Sequence, residues 1–308
     1  MKRTPKKQEE LFAPGHRACP GCGEAILCRL VLKTTGRNAI VVTPTGCIET
    51  FASPYLYSPW RVPWIHPLFE NAPAIASGIA GVLRAKGRDQ EIKVLVIAGD
   101  GSTFDISMGA LSGMFERGDN VTYICADNEA YANTGFQRSG ATSLCASTTT
   151  EPAGRYSIGK SRPKKNLPLI AAAHGISYVA TASIAYPRDL QRKLRKALNM
   201  AGAKYIEVSV PCCSGWGFAP KLTIEMGRLG VQSGLIPLYE MEGGVVTTVR
   251  RIKKKIPVEA YLKGQRRFRH IFQSEEGKRE ISRIQKMADE NIQRLGLMSS
   301  DAKSTVRH

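Results

Sequence analysis

An α/β fold, doubly wound around a mostly parallel sheet, is what the sequence predicts, and three observations predict it. Short β-branched runs alternate with segments of helical periodicity, the runs are continuously apolar as strands buried on both faces must be, and no internal repeat interrupts the progression. In chain order, apolar residues at helical spacing over 24–34 predict a first helix, and the run at 39–43 a first strand. Helix 72–86 then leads to strand 92–98, helix 106–117 to strand 121–126, helix 167–174 to strand 177–181, and helix 187–200 to strand 205–210. The segment 133–168 is rich in Ser, Thr, Gly and Pro and too long for an ordinary connection; loops of that kind are usually functional or disordered. Residues 1–14 read as an N-terminal arm, 15–218 as the sheet-bearing domain and 219–308 as a basic C-terminal extension for subunit docking, in which Ile281, Ile284, Ala288, Ile292 and Leu295 mark one apolar helix face.

Composition narrows the function classes. With 43% hydrophobic and 23% charged residues the chain is ordinarily globular, and no uncharged apolar run reaches the length of a membrane span. The basic, polar start is no secretory signal, so a cytoplasmic protein is expected, in which eight cysteines point to metal chemistry before disulfides. The 44 Lys and Arg against 26 Asp and Glu leave a net charge of +18, and residues 251–308 carry fifteen against seven. Such a balance calls for anionic partners, nucleic acid among them, although the basic stretch has little aromatic interleaving beyond Phe268 and Phe272.

Two strand ends carry chemistry. Strand 92–98 runs into Gly99-Asp100-Gly101-Ser102 and strand 121–126 into Asp127-Asn128, so a carboxylate and an amide oxygen meet at the carboxyl ends of neighbouring strands, where open α/β sheets bind ligands. With glycines allowing close backbone approach, these groups suit a Mg2+ ion bridging to a diphosphate; Gly-Asp-Gly alone serves equally as a strand-end turn with Asp as helix cap. Cys19-Pro20-Gly21-Cys22 can grip a metal from a tight turn. Cys47 after the first strand and Cys212-Cys213 after the last give a possible set of four thiolates, for which zinc, a redox dithiol and an iron–sulfur cluster compete. Cys125, inside a strand, reads as core, Cys28 and Cys145 have no clear role, and His66 with Glu70 reads as a helix-surface pair.

The segment 15–24, Pro44-Thr45-Gly46-Cys47, 64–71, Gly99-Asp100-Gly101, 127–135, 137–142, Ala172-Ala173-His174-Gly175 and 211–216 form a collinear series. Through it, over residues 12–272, the chain resembles the β subunits of the 2-oxoacid:ferredoxin oxidoreductase family, that of pyruvate:ferredoxin oxidoreductase above all. The resemblance implies a sheet of the thiamine diphosphate-binding type that holds thiamine diphosphate, Mg2+ and a 4Fe-4S cluster. It puts the cluster on Cys19, Cys22, Cys47 and Cys212, with the adjacent Cys213 as rival for the last place. It puts Mg2+ on the Asp100 carboxylate, the Asn128 side chain and the Ala130 carbonyl, and the diphosphate against Gly99, Gly101 and the Ser102 hydroxyl. Asn133 and Glu24 take catalytic positions, and Thr45 and Cys47 face the same crevice; the bland reading of Glu24 is a first-turn carboxylate complementing the helix dipole.

The activity so implied is oxidative decarboxylation of pyruvate with coenzyme A to acetyl-CoA and CO2, electrons passing through the cluster to ferredoxin. The expected partners are an α subunit carrying the pyrimidine-binding domain, whose glutamate activates the cofactor, and γ and δ or fused subunits with further clusters. Neither nucleic acid nor membrane is expected, and the chain alone should be inactive. Within the family, oxalate without coenzyme A or another 2-oxoacid is the alternative. From a different class, a basic zinc-binding nucleic-acid protein would account for charge and cysteines but not for Gly99-Asp100-Gly101 paired with Asn128.

Overall fold

The computed structural model describes residues 9–298. Helix α1 (Gly23–Thr35) precedes β1 (Ala39–Val42), and α2 (Cys47–Ala52), β2 (Trp64–Ile65) and α3 (Ala72–Ala85) lead to β3 (Lys93–Gly99). A π-helical turn, Ser102–Ile106, comes before α4 (Met108–Glu116) and β4 (Val121–Asp127). The long connection that follows is ordered coil with one small hairpin, β5 (Ala153–Gly154) and β6 (Ser157–Ile158). Then come α5 (Leu167–Ala173), β7 (Tyr178–Ser183), α6 (Pro187–Leu198), β8 (Lys204–Ser209), α7 (Cys213–Trp216), α8 (Thr223–Gln232), the hairpin β9 (Tyr239–Glu242) and β10 (Val245–Val249), α9 (Val258–Leu262) and α10 (Glu275–Leu295).

Eight strands form one sheet in the order β10-β9-β7-β8-β4-β3-β1-β2. The six from β7 to β2 run parallel; at one edge β9 runs antiparallel to β7, and β10 pairs antiparallel with β9. The doubly wound, mostly parallel sheet expected from the apolar runs is therefore present. Its strands are apolar throughout because both faces are covered. Leu95, Ile97, Ile124 and Ala126 pack under α1, α2 and α6, whereas their neighbours Val94, Val96, Tyr123 and Cys125 pack under α3, α4 and α5. Successive residues thus serve opposite cores, the period of two that a pleated strand imposes. Each large aliphatic side chain so buried contributes roughly 1.5–3 kcal/mol.

A third cluster joins Leu144, Cys145 and Ala146 of the long connection to Trp216, Tyr261, Phe268, Ile271 and the α10 face of Ile281, Ile284 and Ala288. The segment from 219 onward thus supplies two strands of the sheet and packs its helices against the long connection. No described helix is long and apolar enough to cross a membrane. His66 and Glu70 do not form the helix pair expected of them: 66–71 is irregular, and His66 instead meets Thr45 and stacks parallel to Trp64.

Candidate active site

At the carboxyl ends of β1, β3 and β4 lies a cavity of about 180 Å3. The sheet order makes this a switch point, because from β1 the chain goes to β2 on one side and returns to β3 on the other. Glu24, Thr45, Cys47, Gly99, Gly101, Ser102, Asn128, Ala130 and Asn133 all line it, so nine residues singled out from widely separated motifs share one wall.

Asp100 stands just beyond β3, wholly buried. Its Oδ1 accepts from the Asn128 backbone N–H at 3.3 Å and its Oδ2 from the Ser139 hydroxyl. Burial, reinforced by the negative Asp127, pushes its pKa well above the usual carboxylate range. No cation touches it among the described residues, which is the situation a bound divalent ion would relieve. Asn128 donates from Nδ2 to Glu24 Oε1 at 2.7 Å, while its Oδ1 accepts from the Ala130 N–H at 3.1 Å. Glu24 opens α1, yet it points into the protein: burial, partly opposed by the Asn128 hydrogen bond, raises its pKa to about 7, and its Oε2 has no partner. Asn128 and Ala130 on the cavity wall, the buried Asp100 carboxylate hydrogen-bonded to Asn128 behind them and the orphaned Glu24 oxygen alongside offer hard-oxygen donors of the kind Mg2+ takes.

The two glycines differ. A Cβ on Gly99 would meet nothing within 4 Å, so the backbone there is open to a ligand, whereas one on Gly101 would lie 2.8 Å from the Tyr131 ring. The Ser102 hydroxyl is already committed, donating to the Phe69 carbonyl at 2.8 Å beside Ser107. Asn133 and Thr45 are exposed at the rim, and Thr45 Oγ1 lies 3.0 Å from His66 Nε2. Residues without an individual signal in the sequence complete the pocket. Tyr131 donates its hydroxyl to Asp105 at 3.0 Å and packs edge-on against Phe69. A larger cavity, about 260 Å3, lies at the ends of β4, β7 and β8, but Lys164 already pairs with Asp127 and Glu207 in its wall.

All eight cysteines are free. Cys19 is exposed on its turn, and Cys22, Cys47 and Cys212 are half-buried. Burial raises the Cys22 and Cys212 thiols to about 12 and about 11, and pushes Cys47 higher still, with Glu24, Cys212, Cys22 and Cys19 all adding to the rise at Cys47. Three other thiols thus act on Cys47, and among the described residues no three His, Cys, Asp or Glu groups converge on a point for a single ion. Cys212 Sγ accepts from the Gly215 N–H at 3.3 Å, while the Cys213 thiol is committed to the Pro20 carbonyl of the Cys19–Cys22 turn, to which it donates at 3.3 Å.

Residues 44–208 match the family model of the thiamine pyrophosphate enzymes' C-terminal TPP binding domain. Pyruvate synthase subunit PorB of Methanosarcina barkeri is 53% identical over 283 residues, which is 92% of this chain and 96% of that protein. The chain belongs to the PorB family of pyruvate synthase subunits. Further similarity extends to PorB of Thermotoga maritima, 40% identical over 94% of this chain and 92% of that one. Ketoisovalerate oxidoreductase subunit VorB of Pyrococcus furiosus is 42% identical over 96% and 95%. Among solved structures, 2-oxoglutarate:ferredoxin oxidoreductase from Magnetococcus marinus, with 2-oxoglutarate, coenzyme A and succinyl-CoA bound, shares the fold. It superposes with a TM-score of 0.56 at 22% identity, covering 74% of this chain and 81% of that one. Membership of the PorB family sets aside the zinc-binding nucleic-acid protein. The thiamine pyrophosphate-binding match holds Thr45, Cys47, Gly99 to Ser102 and Asn128 to Asn133, and leaves Cys19, Cys22, Glu24 and Cys212 outside it.

Proposed function

We propose that the chain is the cofactor-binding subunit of a pyruvate:ferredoxin oxidoreductase, which with partner subunits converts pyruvate and coenzyme A to acetyl-CoA and CO2 and passes the electrons to ferredoxin. The observation that carries this reading is Cys47. It lines the cavity together with Glu24 and Asn128, and Cys212, Cys22 and Cys19 act on its thiol, so the proposed diphosphate pocket and the cysteines adjoin at this residue. A group that loses electrons in the pocket would stand next to one that takes them.

Thiamine diphosphate, when bound, supplies the nucleophilic carbon and the electron sink that decarboxylation of a 2-oxoacid needs. Asp100, Asn128 and the Ala130 carbonyl would hold Mg2+, and the open backbone at Gly99 would admit the diphosphate. Glu24, held by Asn128 and titrating near neutrality, can keep or release a proton inside the pocket. Asn133 and Thr45, at the rim, face incoming substrate. Cys19, Cys22, Cys47 and Cys212 would ligate a 4Fe-4S cluster, and the Cys213 hydrogen bond to Pro20 favours Cys212 for the last place. Pyruvate is taken as the 2-oxoacid because four relatives at 51–53% identity are pyruvate synthase subunits. The pyrimidine-binding α subunit, cluster-bearing γ and δ subunits and a cytoplasmic location complete the reading.

Anaerobic isolation with metal analysis tests it. About four irons per chain, with thiamine diphosphate and a reducible electron paramagnetic resonance (EPR) signal, are expected; a colourless protein with one zinc overturns the electron-transfer role.

A further inference from the structure

The turn after β4 is held in a conformation it would not adopt by itself. Glu129, between the two proposed Mg2+ positions Asn128 and Ala130, has φ +64°, a left-handed backbone that a glutamate keeps only where its surroundings over-determine it. Those surroundings are specific. The Glu129 N–H donates to Asp127 Oδ1 at 3.1 Å, and its carbonyl accepts from the Thr142 hydroxyl at 2.7 Å. Its carboxylate accepts from the Ser143 hydroxyl at 2.7 Å and lies 2.8 Å from the Arg267 guanidinium, both side chains of that ion pair being about 95% buried. The preceding carbonyl, that of Asn128, accepts from Trp216 Nε1 at 2.8 Å.

Arg267 and Trp216 form one unit. The guanidinium lies 4.0 Å from the Trp216 ring centroid, and its Nε donates to the buried Gln265 at 2.8 Å. Both residues lie outside the matched thiamine-binding segment, Arg267 in the C-terminal part and Trp216 four residues beyond Cys212. A buried ion pair costs desolvation and by itself is weak evidence of stabilisation. Here it ends on the one residue whose backbone aims Asn128 and Ala130.

We infer that Arg267 and Trp216 are positioning residues for the metal-binding turn: gripping Glu129 and the Asn128 carbonyl, they keep Asn128 and Ala130 on the cofactor pocket and couple that turn to the one bearing Cys212. The inference rests on the function proposed above. Outer partners of metal ligands typically change metal affinity by 10–100-fold when removed, and an effect of about tenfold is expected here.

The test uses the assembled enzyme stripped of Mg2+ and thiamine diphosphate and titrated with both by calorimetry. Melting temperature, iron content and kcat at saturating cofactor are read in parallel. Arg267→Met should raise the cofactor Kd about tenfold. The double variant Glu129→Gln with Arg267→Met, which removes both buried charges, should recover the melting temperature yet keep the raised Kd. Trp216→Phe keeps a ring under the guanidinium and removes only the N–H to Asn128; it should raise Kd with kcat at saturation preserved, and it carries the test should Arg267→Met fail to assemble. A double variant that recovers both melting temperature and Kd, or a Trp216→Phe variant with wild-type Kd, overturns the inference. A wild-type enzyme that binds no Mg2+ and thiamine diphosphate would instead defeat the function on which it rests.

Discussion

Cys212 and Cys213 are adjacent in the chain but differ in surroundings, one thiol acting on those of Cys22 and Cys47 and the other donating to the Pro20 carbonyl. A serine at 213 keeps a donor for that carbonyl, whereas a serine at 212 removes one of the proposed cluster sulfurs. Cys212→Ser should therefore lose most of its iron and Cys213→Ser retain it, measured by iron analysis of anaerobically purified protein; the reverse pattern would move the last ligand to Cys213. Glu24 makes the second case. Its buried carboxyl is tied to Asn128 and sensed by Cys47, so Glu24→Gln keeps shape and a hydrogen-bonding oxygen while removing the titrating proton. Turnover in the assembled enzyme should fall by about 100-fold or more with iron content unchanged, as loss of a proton-transferring group does; near-normal turnover would reduce Glu24 to a packing residue.

At the scale of elements, what was legible followed from burial. The strands under both layers of helices read as continuous apolar runs, so β1, β3, β4, β7 and β8 fall within a residue or two of the expected ranges. Strands at the edges did not announce themselves: β2 is two residues long, β10 is exposed, and β9, though buried, carries two glutamates in its four residues. Gly243 and Gly244, both at positive φ, are the turn signal that would have found the β9–β10 hairpin. The candidate site divides in the same way. Cysteines, glycines and Asp100 announce themselves by type and spacing, while Ser139 reaches the site from coil and Arg267 from a 3-10 turn remote in sequence. Thr223 belongs to this second group. Its hydroxyl donates to the Gly21 carbonyl at 2.7 Å, and Gly21, at φ +73°, leaves no room for a Cβ, which would lie 2.5 Å from the Pro220 carbonyl oxygen, so the start of α8 buttresses the Cys19–Cys22 turn. Thr223→Val strands that carbonyl at a cost of about 1–3 kcal/mol. Iron content and the EPR signal should weaken and be restored by Thr223→Ser; a valine variant with unaltered iron and signal would make the contact incidental.

For the whole molecule, the +18 charge and the C-terminal segment have to be weighed together. A segment that only docks on a neighbour could be removed without harm, but α10 buries Ile281, Ile284 and Ala288 against Phe268, Ile271 and the long connection. Truncating one buried Ile to Ala typically costs about 2–5 kcal/mol, and domains are stable by only about 5–15 kcal/mol. Deleting residues from 273 onward should thus unfold the C-terminal cluster, so loss of assembly in that variant would not show docking. The exposed face can be tested without touching the core. Lys278 and Arg283 pair with Glu275 and Glu280 of their own helix, while Arg279 and Lys286 are exposed on it. If α10 meets an acidic sister subunit, Arg279→Glu with Lys286→Glu leaves the melting temperature of the isolated chain unchanged and weakens assembly, increasingly so as salt is lowered and repulsion is less screened. Size-exclusion chromatography of the reconstituted complex between low and high salt reads this directly; elution identical to wild type at every salt concentration would place the sister subunits on another face.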